Sequence, residues 1–145
     1  MPIISGLCNS YKLETMQGVH DLRVDTVKAA LYTAAATLTP NTTAYSASNE
    51  ATGTNWAAGG VALPLLSGYP KLVPGVDATN FWAAWAWQDV LVADVTVTYR
   101  AILLYNASKA NRAICVVDRG VDEEIVAGPI ILFWNSAAGH LVVHA

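Results

Sequence analysis

Chemistry requires groups that converge, and the side chains able to supply it are few in this chain. Histidine occurs at His20, His140 and His144. On a terminal strand His140 and His144 would share a face about 13 Å apart, too far to hold one metal ion. Asp122, Glu123 and Glu124 are consecutive carboxylates without a neighbouring histidine, which reads as a solvated acidic turn rather than a calcium or acid/base site. Cys8 and Cys115 are widely spaced, the pattern of free buried thiols rather than of a disulfide. No nucleophile elbow, phosphate loop or zinc spacing is present. The sequence therefore predicts no catalytic residue, no cofactor and no metal. Asn41-Thr42-Thr43 and Asn106-Ala107-Ser108 fit the glycosylation sequon but read as turns.

Tryptophan is the remaining candidate for recognition, with five in the chain. Exposed indoles on a β-sandwich can stack on sugar rings or anchor protein interfaces. In FWAAWAWQDVLV the period-2 alternation assigns Phe81, Ala83, Trp85 and Trp87 to the core face, leaving Trp82 and Trp56 as free indoles.

Composition bounds the setting in which such groups would act. The 145 residues make about one domain, residues 1–145, large enough to fold without disulfides or metal. Only 13% of residues are charged while 54% are hydrophobic, against about 25% charged in ordinary domains, so little charge is left for a free surface. That favours life inside an assembly. A net charge of −3 with scattered basic residues argues against a nucleic-acid partner. The longest apolar candidate, Val90 to Tyr105, is broken by Asp94 and Arg100, so no membrane partner is expected. Met1 to Leu7 lacks a positive n-region, and a cytoplasmic site of synthesis is the expectation.

The element that must organise the chain is Val95 to Gly120. Val95, Val97, Tyr99, Ala101, Leu103 and Tyr105 alternate with Thr96, Thr98 and Arg100, a strand with one buried face. Polar residues from Asn106 to Arg112 make a tight connection, and Ala113 to Val117 begins the return strand of an antiparallel hairpin. Ile102, Leu104, Ile114 and Val116 make both faces apolar near the turn, so both must be covered there, by the chain itself or by a neighbouring subunit.

Residues 1–18 form an extended apolar arm and a short helix capped by Asn9 or Ser10, with Leu13 and Met16 on one side and Gly18 at its end. His20, Asp21 and Arg23 form a polar knot before a strand at Asp25 to Thr33. Residues 34–60 are a long excursion of small and polar residues whose large anchors are Tyr45 and Trp56. Val61 to Leu66 is a short strand whose Pro64 makes it an edge or a bulge, and Gly68 with Pro70 turns the chain toward Lys71 to Val76. Val121 to Glu124 is an acidic turn, Ile125 to Ala127 a brief strand, and Gly128-Pro129 a break before Ile130 to Trp134. Asn135 to Gly139 is a further turn before a short strand at His140 to Ala145. About eight short strands without a long helical pattern predict an all-β fold, an antiparallel β-sandwich or jelly-roll-like barrel.

The order of these signals resembles a group of small virion structural proteins of tailed bacteriophages. The resemblance is carried by Ser10-Tyr11-Lys12 with Glu14, by Gly18-Val19-His20-Asp21, and by Val27-Lys28-Ala29-Ala30-Leu31-Tyr32-Thr33. It continues through Thr43-Ala44-Tyr45 with Glu50, the Gly53 to Gly60 loop, and Tyr105-Asn106 with Ser108-Lys109-Ala110-Asn111-Arg112-Ala113. Residues 70 to 90 depart from it. The resemblance implies a non-enzymatic assembly part of the virion, made in a host bacterial cytoplasm. Its expected partners are the major capsid protein or another virion protein, together with further copies of itself. A capsid cement or decoration protein is the reading favoured here, with a tail, neck or connector component as the rival and a lectin-like host-binding module as the third. The expected protein-interface residues are Ile3, Ile4 and Leu7 of the arm, Tyr45 and Trp56 of the excursion, and Trp82.

Overall fold

A computed structural model describes residues 2–74, 81–132 and 141–143. The chain is all-β apart from one short helix, with two antiparallel sheets in a sandwich-like arrangement. Its elements are β1 (Gly6–Leu7), α1 (Asn9–Met16), β2 (Val27–Tyr32), β3 (Val61–Ala62), β4 (Lys71–Pro74), β5 (Phe81–Trp85), β6 (Val90–Asn106), β7 (Arg112–Leu132) and β8 (Leu141–Val143). One sheet has the order β1-β7-β6-β2-β3 and the other β4-β5-β8.

The central hairpin forms as the alternation predicts. β6 and β7 pair antiparallel from Asn106–Arg112 at the turn outward, with Leu103 opposite Val116 and Leu104 opposite Cys115. Val95, Val97, Tyr99, Ala101, Leu103 and Tyr105 are all buried. Near the turn Ile102, Leu104, Ile114 and Val116 are buried as well, and the cover on both faces comes from the chain itself. β2 lies beside β6 with Lys28, Ala30 and Tyr32 opposite Tyr105, Leu103 and Ala101, so these six share one face. Residues 34–60 lie over that face: the Tyr45 ring stacks on Tyr105 at 4.7 Å, and the Tyr105 hydroxyl donates to the Gly59 carbonyl at 2.7 Å. On the opposite face Asn106 reaches His20 and Asp25, which follow α1 in the chain.

Farther from the turn the hairpin differs from the expected turn-and-break reading. β7 is one strand through Leu132, and the acidic stretch is a large bulge within it. Between the pairs Ala101–Asp118 and Tyr99–Glu123 β7 advances five residues while β6 retreats two. The surplus is accommodated where Gly120 takes φ +81°, a value that costs glycine little. Asp118 starts this bulge, accepting from Arg100 Nε at 2.8 Å and from the Gly120 N–H at 2.9 Å. The Arg100 hydrogen bond holds its carboxyl below the usual carboxylate range. Gly128-Pro129 likewise stays in the ladder, because Val95 pairs with Gly128 and Val92 with Ile130.

The helix is held differently from the expectation. Cys8 occupies the N-cap position without a side-chain cap, while the Asn9 N–H donates instead to the Pro40 carbonyl at 2.7 Å. Leu13 and Met16 point to solvent, and Tyr11 and Glu14 are the buried pair. Tyr11 and Glu14 are three residues apart, one helical face, so a single stripe seats the helix. Gly18 ends it with φ +71°, as its position predicts.

β5 also reverses part of the sequence reading. Ala84 and Ala86 are buried, Ala83 is exposed and Trp85 is half-buried. The expected odd row therefore holds only in part: Ala84 is buried where Ala83 is not, while Trp85 packs against the core and lies edge-on to Tyr11 at 6.3 Å. Trp87 is buried, as expected, but only after the strand has ended. The strand expected over Val61 to Leu66 is shorter: β3 lies on the sheet edge, as expected, but ends at Ala62, and Pro64, which has no N–H for the ladder, falls outside it. Val76, Asn135 to Gly139, His140 and His144 lie outside the described residues.

Candidate functional site

Two polar clusters fasten the covering segments to the central hairpin. The first lies at the turn end. Glu14 of α1 is 2.8 Å from His20 Nε2 and also pairs with Arg112. Asn106 Nδ2 donates to Asp25 at 2.8 Å and meets His20 Nδ1 at 3.0 Å. The Ser108 N–H donates to Asn106 Oδ1 at 3.0 Å, which fixes the amide orientation. His20 Nδ1 therefore accepts from Asn106, and the ring proton sits on Nε2, donated to Glu14. Lys109 closes the far end against Asp25 at 3.7 Å.

The His20 side chain is 1% exposed and Glu14 9%, whereas Arg112 and Lys109 keep about 45% and 39% of theirs in solvent. Each buried polar atom of the chain Arg112–Glu14–His20–Asn106–Asp25 has a partner, the condition under which such a network stabilises and specifies a fold. The Tyr11 ring packs on His20 at 4.8 Å. The arrangement orients and locks: it contains a carboxylate–imidazole pair, and among the described residues no serine, threonine or cysteine is hydrogen-bonded to that imidazole.

The second cluster pins the excursion. Glu50 accepts from the Tyr45 hydroxyl and from the Gly59 N–H, each at 2.7 Å. Burial, and then the hydrogen bond to Glu50, push the Tyr45 phenol up to about 12. Two glycines bring the loop close to the sheet. A Cβ on Gly53 would lie 1.9 Å from the Thr96 carbonyl oxygen, and one on Gly60, at φ +67°, would lie 1.8 Å from that of Ala29. No other residue fits either place.

The expected interface residues are distributed as follows. Trp56 is 1% exposed and belongs to the core, so it has no surface to give a partner. Tyr45 is half-buried against Tyr105. Ile3 forms a parallel bridge to Leu38, and Leu7 pairs with Cys115 within β1. Both pack against the core. Ile4 is 53% exposed. Trp82 stands in β5, and its side chain lies outside the described residues. The arm and the excursion are thus held by contacts within their own chain. Asn106 of the sequon is 0% exposed, and both thiols are free. Burial raises Cys8 to about 12 and Cys115 to about 11.

Comparison with known proteins adds no relative. No family model, no curated protein and no solved structure matches the chain.

The network around His20 escaped sequence reasoning because its members are separated by up to 98 positions. Two signals pointed toward it. The polar knot His20-Asp21-Arg23 follows a helix whose one buried stripe includes a glutamate, and the hairpin turn begins with an asparagine inside an otherwise apolar strand.

Proposed function

We propose that the chain is a non-enzymatic bacteriophage virion structural protein, a cement or decoration protein that binds between subunits of the major capsid protein. The observation that carries this reading is the surface of the outer hairpin. Leu91 and Ile131 are cross-strand partners and both are exposed, at 63% and 41%. Val126, on the same stretch of β7, is exposed too. In a chain with 13% charged residues, an exposed apolar pair on a two-stranded ribbon suits burial against a neighbour. The resemblance noted in the sequence supports the same reading.

Many copies on one shell would turn a modest contact into a large gain in particle strength. The test is reconstitution of particles lacking the protein with the native chain and with Leu91→Lys/Ile131→Lys. The native chain should bind in many copies and raise resistance to heat, and the charged variant should fold but stay in solution. Particles that keep shell strength without the protein but lose their tails would favour the tail or neck reading.

A further inference from the structure

Charge is unevenly placed along the central hairpin. Away from the turn, residues 89–100 and 118–132 carry Asp89, Asp94, Asp118, Asp122, Glu123 and Glu124 against Arg100 and Arg119. Those two arginines are committed to Asp118 and Glu123. Asp122 and Glu124 stand exposed on the bulge, and Val121 beside them is 61% exposed.

At the turn end the pattern is reversed. Lys12, Arg23 and Arg112 are exposed and Lys109 is partly so, while the carboxylates of Glu14 and Asp25 are turned inward, with side chains 9% and 5% exposed. Asp21, the more exposed carboxylate there, is paired with Arg23. The network around His20 therefore hides negative groups and leaves the ends of Lys109 and Arg112 in solvent. α1 adds Leu13 and Met16, three residues apart on its outer side and 53% and 82% exposed. Its buried stripe holds a glutamate and its outer stripe an apolar pair, the inverse of an ordinary surface helix.

The two surfaces cannot satisfy each other within one molecule. Asp118, where the bulge begins, is six residues along β7 from Arg112, about 20 Å at the rise of a strand, and salt screens exposed charges over about 8 Å. Between two molecules they fit: an apolar centre rimmed by Asp122 and Glu124 faces an apolar centre rimmed by Lys12 and Arg112. Opposite rims favour this pairing over either surface meeting itself, where like charges would be opposed. We propose that the chain associates head to tail with further copies of itself, the bulge of one molecule seating on α1 of the next. Because the two surfaces differ, the contact is heterologous and extends to a ring or a row. It leaves Leu91 and Ile131 to the shell contact and does not depend on it.

The test is sedimentation of the purified full chain over a concentration series at low and high salt. The native chain should associate weakly, with a dissociation constant on the order of 0.1–1 mM, because Leu13, Met16 and Val121 make a small contact. Association should grow past the dimer and weaken severalfold at high salt. Lys12→Glu/Met16→Glu and, separately, Asp122→Lys/Glu124→Lys alter exposed side chains; each should reduce association at least about tenfold without moving the melting temperature. Mixed in equal amounts, the two variants should associate again, through the native bulge of one and the native helix of the other. If one variant does not fold, the other decides by its own loss of association. A native chain that stays monomeric to about 1 mM at low salt overturns the proposal. So does association that ignores salt, that a folded variant keeps at native strength, or that the mixture fails to restore. No particle enters the measurement, so this proposal and the shell contact can fail separately.

Discussion

The two halves of the central hairpin are one continuous pair of strands, yet they are built on different terms. Near the turn, β6 is flanked by β2, and β7 by β1. There both faces are apolar, and both are covered by the chain itself. Farther out the two strands continue as a ribbon with one inward row: Val95 and Val97 are buried, and beyond the bulge at Asp94, with φ 54°, Ile130 and Leu132 are buried while Leu91 and Ile131 are not. A doubly apolar strand shows that cover is required but not who supplies it. Here the excursion and the helix supply it near the turn, and within the hairpin the exposed large apolar side chains, Leu91, Val121, Val126 and Ile131, all lie farther out.

The largest expected effect separates the halves directly. Leu103→Ala, at a fully buried position near the turn, should lower stability by about 2–5 kcal/mol in denaturant unfolding. Asn106→Ala should follow, costing about 1–3 kcal/mol because it strips partners from buried Asp25, His20 and the Ser108 N–H together. Amide exchange in α1 should quicken with it, and a variant that left the helix as protected as before would break the claim that this network seats it.

A smaller effect should appear in alkali. Tyr45 has a folded value of about 12 against an ordinary 10.0, so the neutral phenol is favoured by folding. That contribution is complete below about pH 10 and is lost as pH rises toward 12. Stability should therefore fall over that window, and Tyr45→Phe should flatten the part of the fall that belongs to this residue. The smallest effect is expected on the ribbon, where Val126→Thr should change the stability of the isolated chain by no more than about 0.5 kcal/mol. A much larger loss would mean that this surface is already engaged within the chain.

Legibility in the sequence followed the range of the interactions. The alternation of β6, the turn at Asn106 to Arg112 and the end of α1 at Gly18 are set by neighbouring residues, and each stands where the sequence puts it. The acidic stretch was misread because a turn and a bulge share the same composition. Only the availability of the facing strand decides whether pairing resumes after it. The parity of Ala83 and Ala84 was ambiguous for a similar reason, since alternating alanine and indole offers a plausible inward row in either phase.

For the candidate sites the division is sharper. The sequence by itself determined that the chain is all-β, that its centre is a long antiparallel hairpin, and that the hairpin needs cover on both faces near the turn. Side-chain period and turn chemistry carry that information within a few residues. Tertiary structure alone decided that the cover is the chain's own, that Trp56 serves the core, and that Glu14, His20, Asn106 and Arg112 meet. Those outcomes depend on which distant segments arrive together, and a buried polar group or an indole is written identically whether its partner lies in its own chain or in another.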